Sequence, residues 1–228
     1  MSLRAIVFDF DGVLANSEPL HFQSFRDVLA AHGVDLTETD YYGRYLGFDD
    51  AGAFAAIGRD QQRNWSRDEI AGLVWKKAER MTELERHVSM LFPGAADIVR
   101  QTAATTPIAI ASGALGHEIR RVLDREGLTG CFAAIVAAED TPRSKPAPDP
   151  YERAVALLRG ASLEDLKAHE CVAVEDSVWG LQSAREAGLR TVGVAQSYAA
   201  DALPADLVIT SIVEFDIARV RRDRKSVV

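Results

Sequence analysis

The chain has 228 residues, 47% hydrophobic and 26% charged, which excludes a disordered or collagen-like polymer. Lysine and arginine number 26 against 34 acidic residues, a formal net charge of −8, so general electrostatic binding to nucleic acid or an anionic membrane is not expected. The length suits one core with an inserted or appended piece. Met1-Ser2-Leu3-Arg4 leads into only a short apolar stretch before Asp9, unlike a signal peptide. The longest apolar run, residues 131–138, falls far below the ~18 residues of a spanning helix. Cys131 and Cys171 sit in apolar stretches and are expected to be buried thiols. The expectation is a soluble, cytoplasmic protein.

In chain order, residues 3–8 (LRAIVF) read as a first buried strand. Residues 17–88 then give helical patterns punctuated by glycine, with Ser66 and Glu69 forming a capping box for a helix reaching about Arg86. The strand signal returns at 107–111 (PIAIA), followed by a helix over 114–126 that stops at Gly127. A third strand is expected at 133–136, and Asp149-Pro150 opens a helix with aspartate as N-cap. Strands at 171–174 and 191–194 flank a helix over 178–187 that ends at Gly188, and a last strand covers 207–209. Ser211 with Glu214 reads as a capping box for a final helix, whose basic end at 219–225 reads as solvated. The tryptophans Trp65, Trp75 and Trp179 are expected to pack, and His32, His87, His117 and His169 lack metal-ligand spacing.

Strand–helix alternation predicts an α/β fold with a doubly wound parallel sheet. The helical block predicts an inserted all-helical domain over 17–88, leaving 1–16 and 89–228 as the α/β core.

Four strand ends carry chemistry. Asp9-Phe10-Asp11-Gly12 follows the first strand, where ligands of open α/β sheets bind, although an Asp-Gly turn with solvated acids would read the same. Ser112-Gly113 ends the second strand and offers a hydroxyl and backbone N–H groups to an anion, or caps the next helix. Ser144-Lys145-Pro146-Ala147-Pro148 holds a lysine among prolines, as a surface turn also could. Glu175-Asp176-Ser177 adjoins an apolar strand, where two acids need a cation nearby, or else cap the next helix.

Together these motifs resemble the haloacid dehalogenase superfamily of phosphotransferases over nearly the whole chain. The run Glu175-Asp176-Ser177-x-x-Gly180-Leu181, with Ala187-Gly188 beyond it, is similar to the branch containing β-phosphoglucomutase and phosphoglycolate phosphatase. The resemblance implies a Rossmann-like core with a helical cap, and a Mg²⁺ ion held by the Asp9 carboxylate, the Asp11 backbone carbonyl and Asp176, with Glu175 direct or through water. It implies Asp9 as nucleophile, Asp11 as general acid and base, Lys145 as counter-cation, and Ser112 and Gly113 as phosphate binders. An aspartate and a phosphate dianion about 3.5 Å apart repel by roughly 9 kcal/mol at an effective dielectric near 20, so such counter-charges are required. In the cap, His21 matches a position often histidine in this branch and reads as a structural hinge residue sooner than a proton carrier, Lys77 resembles a substrate-facing lysine, and Gly47 sits in the substrate loop. With Lys76 and Arg80 beside it, however, Lys77 is expected on a solvated face. The loop Tyr45-Leu46-Gly47-Phe48-Asp49-Asp50 is acidic, with Arg44 adjacent, where β-phosphoglucomutase carries a basic residue for a second phosphate.

The expected function is therefore a Mg²⁺-dependent phosphatase, through an aspartyl-phosphate, for a small phosphorylated metabolite such as a sugar phosphate. A monomer is the default, with no nucleic-acid or membrane partner. The alternatives are a β-phosphoglucomutase-like phosphosugar mutase and a non-enzymatic phosphoacceptor domain.

Overall fold

Four-residue apolar runs set the architecture of this computed structural model, which describes residues 3–46 and 48–222. The chain divides into two compact units, residues 1–16 with 91–228 and residues 17–90.

In the first unit, β1 (Ala5–Phe8) is followed, beyond the second unit, by α5 (Ala95–Ala103), β2 (Ile108–Ala111), α6 (Gly116–Arg125), β3 (Phe132–Val136) and α7 (Asp149–Ser162). Then come β4 (Cys171–Glu175), α8 (Val178–Glu186), β5 (Arg190–Val194), β6 (Leu207–Ile209) and α9 (Ile217–Arg222). The six strands form one parallel sheet in the order β3-β2-β1-β4-β5-β6, the Rossmann-like arrangement expected. Side chains alternate between faces. On one face Ala5, Val7, Ala109, Ala111, Cys171 and Ala173 form a layer of mostly small groups, packed with Tyr151, Ala154, Val155 and Leu158 of α7 and Ala184 of α8. The other face carries the larger Ile6, Phe8, Ile108, Ile110, Val172 and Val174, all buried, with Phe8 edge-on to Phe215. Burial on both faces is why these strands read as continuous apolar runs instead of alternating ones. Gly127 and Gly188 both adopt positive φ after their helices, as the sequence predicts.

The second unit contains α1 (Glu18–Ala30), α2 (Glu38–Asp40), a π-helical turn (Tyr41–Tyr45), α3 (Asp50–Asp60) and α4 (Arg67–Glu85), with no strand among the described residues. Its core joins Phe25 and Leu29 of α1 to Tyr41, Phe54, Ile57 and Leu73. The Ser66–Glu69 capping box is present: the Ser66 N–H donates to Glu69 at 2.7 Å and the Glu69 N–H to the Ser66 hydroxyl at 3.3 Å.

Several local expectations are corrected. Helix α6 begins two residues late, because the Ala114 N–H donates to Ser112 Oγ and holds a turn there. Helix α7 takes Pro148 as N-cap, and Asp149, its first residue, is ion-paired with Arg143 at 2.6 Å. Ser211 opens only a single 3-10 turn, because the Glu214 carboxylate accepts from Thr210 N and Oγ1. Trp65 packs against the helical core, whereas Trp75 and Trp179 are 62% and 60% exposed. Both cysteines are free thiols; Cys171 is buried and Cys131 only partly. Among the described residues, no helix is long and apolar enough to cross a membrane. Gly47 and the end of the basic tail lie outside the described residues.

Candidate active site

The strand order reverses between β1 and β4, and the crevice beyond the carboxyl ends of such a pair is where open α/β sheets bind ligands. Phe8 pairs with Val174 in register, and the Asp9 N–H donates to the Val174 carbonyl at 2.9 Å. Asp9 and Glu175-Asp176 therefore leave the sheet side by side. One oxygen from each of Asp9, Glu175 and Asp176 lies within 4.8 Å of the others.

Lys145 reaches this cluster from the loop preceding α7. Its Nζ lies 2.8 Å from Asp9 Oδ1 and 2.7 Å from Glu175 Oε1. The Asp9 contact is ionic, since Oδ1 is buried and has no aligned hydrogen-bond donor. Glu175 is fully buried and doubly committed. Its Oε1 accepts from Lys145 and the Tyr151 hydroxyl, and its Oε2 from the Asp176 N–H, the Ser177 N–H and the Ser177 hydroxyl. Ser177 also caps α8, accepting from the Gly180 N–H at 3.1 Å, so capping and site-building coexist.

The turn after Asp9 needs glycine at position 12. Its φ is +76°, and a Cβ there would overlap the Asp176 carboxylate. Asp11 precedes it, exposed, its backbone bridged to Ala15. Ser112 is buried at the end of β2, next to β1 in the sheet, and its oxygen accepts from the Ala114 N–H. A Cβ at Gly113 would meet nothing within 4 Å, so the backbone there is open to a ligand.

Three carboxylates face one ammonium. Burial pushes the Asp9 carboxyl up to about 8; Lys145 opposes that rise and Glu175 and Asp176 add to it. Burial also raises Asp176 to about 6, with the Ser197 hydroxyl pulling the other way. For Lys145, burial favours the neutral amine, but Asp9 and Glu175 outweigh it and hold the ammonium above its ordinary value. A hard divalent cation on oxygen donors fits this excess of negative charge.

Residues 6–194 match the haloacid dehalogenase-like hydrolases. The chain belongs to that family. Within the haloacid dehalogenase superfamily it falls in the branch of β-phosphoglucomutase and phosphoglycolate phosphatase, as a phosphoric monoester hydrolase. Protein CbbY of Rhodobacter capsulatus is 33% identical over 205 residues, 87% of this chain and 88% of that protein. Hexitol phosphatase B of Escherichia coli (strain K12) is 32% identical over 198 residues, 84% of this chain and 83% of that protein. A crystal structure of mutant CbbY from Rhodobacter sphaeroides, in complex with xylulose-(1,5)bisphosphate, aligns with TM-score 0.69 at 28% identity, over 93% of this chain and 96% of that one.

Two groups of this haloacid dehalogenase-like site escape sequence reasoning. Tyr151, fully buried, donates to Glu175 at 2.9 Å and places its ring 5.2 Å from Lys145 Nζ. Its signal was faint: an aromatic in the first turn of the helix behind the lysine. Gln196-Ser197 follow β5, a further strand end with polar residues beyond an apolar run.

In the helical unit, Lys77 is 3% exposed, so the solvated face expected for it is wrong. Its Nζ contacts Asp50 at 2.7 and 2.9 Å and His21 Nδ1 at 2.8 Å, and lies 4.9 Å from the Phe25 ring centroid. The apolar ring and the Asp50 carboxylate make burial of the ammonium tolerable.

Proposed function

We propose that the chain is a Mg²⁺-dependent phosphatase that hydrolyses a small phosphomonoester, such as a sugar or polyol phosphate, through an aspartyl-phosphate. The observation that carries this reading is the contact of Asp9 with Lys145 beside Glu175 and Asp176 at the point where the strand order reverses. Asp9 attacks phosphorus, forming a new P–O bond as the bond to the alkoxide breaks, and Asp11 gives its proton to that alkoxide. Asp11 then takes a proton from water as the water oxygen attacks the same phosphorus, releasing inorganic phosphate and the Asp9 carboxylate. Ser112 and the Gly113 N–H hold phosphoryl oxygens, and Lys145 offsets their charge. Asp9, Asp176 and, by resemblance, the Asp11 carbonyl would hold Mg²⁺, with Glu175 orienting Lys145 instead of offering a direct ligand. The ion supplies two positive charges that keep the acids ionised and neutralise the transferring group. Dehalogenases expel halide and need neither a leaving-group acid nor the metal, so Asp11 and Asp176 favour phosphoryl transfer.

Substrate choice is assigned to the helical unit as a cap, with His21 and Lys77 inside it. Arg44 is paired with Asp60 at 2.5 Å and lies 3.7 Å from Asp40, Lys77 is paired with Asp50, and Asp49 caps α3. Its basic groups near the loop are already matched, which disfavours a second phosphate on the substrate. This favours a monophosphate over the bisphosphate bound to CbbY, and a hydrolase over a mutase. The two free thiols fit a reducing cytoplasm.

A phosphate-release screen over many metabolites with Mg²⁺, run beside excess chelator, tests the reading. Turnover is expected only with the metal, and Asp9→Asn should lower kcat at least about 10³-fold. Given β-glucose 1-phosphate and a trace of the bisphosphate, glucose 6-phosphate formed faster than free phosphate would select the mutase. No turnover on any compound would select the phosphoacceptor domain.

A further inference from the structure

The loop after β5 carries polar groups that the mechanism above leaves unused. Its backbone is fixed by the neighbouring strand and by a local turn: the Ala195 N–H donates to the Ile209 carbonyl of β6 and the Gln196 N–H to Val194, the last residue of β5. The Gln196 side chain spans two further segments. Nε2 donates to the Gly12 carbonyl at 3.0 Å and to Val13 at 3.4 Å, while Oε1 accepts from the Ile212 N–H at 2.8 Å. The next residue, Ser197, donates its hydroxyl to Asp176 Oδ2. That same oxygen occupies the space a side chain at Gly12 would fill, and Ser197 Oγ borders it.

We propose that Ser197, anchored by Gln196, is the positioning residue that fixes the Asp176 carboxylate for a divalent cation. The inference rests on the metal-dependent reading above. A carboxylate turns easily about its last torsion, and each orientation offers a different oxygen. With Oδ2 held by Ser197 against Gly12, Oδ1 is the oxygen left to face the cation. Gln196 ties this clamp to the turn that carries Asp9 and Asp11, so the loop after β5 holds both sides of the cation site in one frame. Partners of this kind orient metal ligands, and their loss costs about 10–100-fold in affinity. Ser197 is exposed at the residue level, so alanine there removes a hydroxyl with little packing.

The test is isothermal titration calorimetry of Mg²⁺ into the full chain, as wild type, Ser197→Ala and Ser197→Thr, with thermal melts to confirm folding. The expected result is an Mg²⁺ Kd weakened about 10-fold or more in Ser197→Ala and restored to within about 3-fold by Ser197→Thr, which keeps the hydroxyl. In turnover assays the half-saturating Mg²⁺ concentration should rise in Ser197→Ala, while kcat at saturating Mg²⁺ stays near wild type. If Ser197→Ala binds Mg²⁺ as tightly as wild type or more tightly, the hydroxyl merely competes with the cation and the proposal falls alone. If wild type itself takes up no Mg²⁺, the metal-dependent reading falls and the proposal with it.

Discussion

Each of the two units buries one lysine among acids, and the two burials differ in charge balance. In the α/β unit Lys145 meets Asp9 and Glu175, with Asp176 alongside, so negative charge is in excess. In the helical unit Lys77 is paired with Asp50 and meets a histidine nitrogen and an aromatic ring; Glu18 also lies within electrostatic reach, but the acids there are fewer and more open to water. A balanced pair is what a structural ion pair requires. An unbalanced group of buried carboxylates is stable at neutral pH only with raised pKa values or with added positive charge. The contrast separates an acid cluster suited to the cation proposed above from an ion pair that completes its own core.

The same substitution at both lysines puts the two charge arrangements directly to the test. Lys145→Met should have the largest effect, because it strands Asp9 and Glu175 in the interior. Loss of phosphate release by at least about 10³-fold is expected in steady-state assays. A stability loss of about 3–5 kcal/mol is expected in urea unfolding. Lys77→Met should cost about 1–2 kcal/mol in the same unfolding experiment, since the Asp50 side chain is 35% exposed and water can solvate it. Equal losses at the two positions would end the distinction. The smallest effect concerns pH. Asp176 is raised in the folded chain from an ordinary 3.8 to about 6, so its contribution to stability is complete below about 3.8 and is lost as pH rises through about 6. In excess chelator, the melting temperature of wild type minus that of Asp176→Asn should therefore fall between about pH 4 and pH 6.5 and then level off. A difference that rises with pH would mean that the site welcomes the Asp176 charge.

The strands were readable because most are apolar on both faces, and three of the four motifs because each follows such a run directly; Lys145 instead lies well beyond the end of β3, in the proline-flanked loop before α7. What escaped depends on partners distant in sequence. Nothing near Lys77 announces Asp50, 27 residues earlier, so the neighbouring Lys76 and Arg80 suggest a wet face instead. Tyr151 looks like any aromatic on an amphipathic helix until its hydroxyl is seen on Glu175, 24 residues later. Ser197 lies on a strand end whose acid partner comes from the adjacent strand, so no local pattern links the two. The early start assigned to α6 has a local cause, since a serine hydroxyl can hold a turn as readily as it can cap a helix.

The layer of small side chains under α7 has a bearing on reactivity. Methyl and thiol groups at Ala5, Ala109, Ala111, Cys171 and Ala173 make a low floor, and Tyr151 lies within that same layer with its hydroxyl on Glu175. The height of that floor thus bears on how far the helix start, and the ammonium just before it, stand from Asp9. Small apolar residues act as the shim that spaces Lys145 from the acids at the ends of β1 and β4.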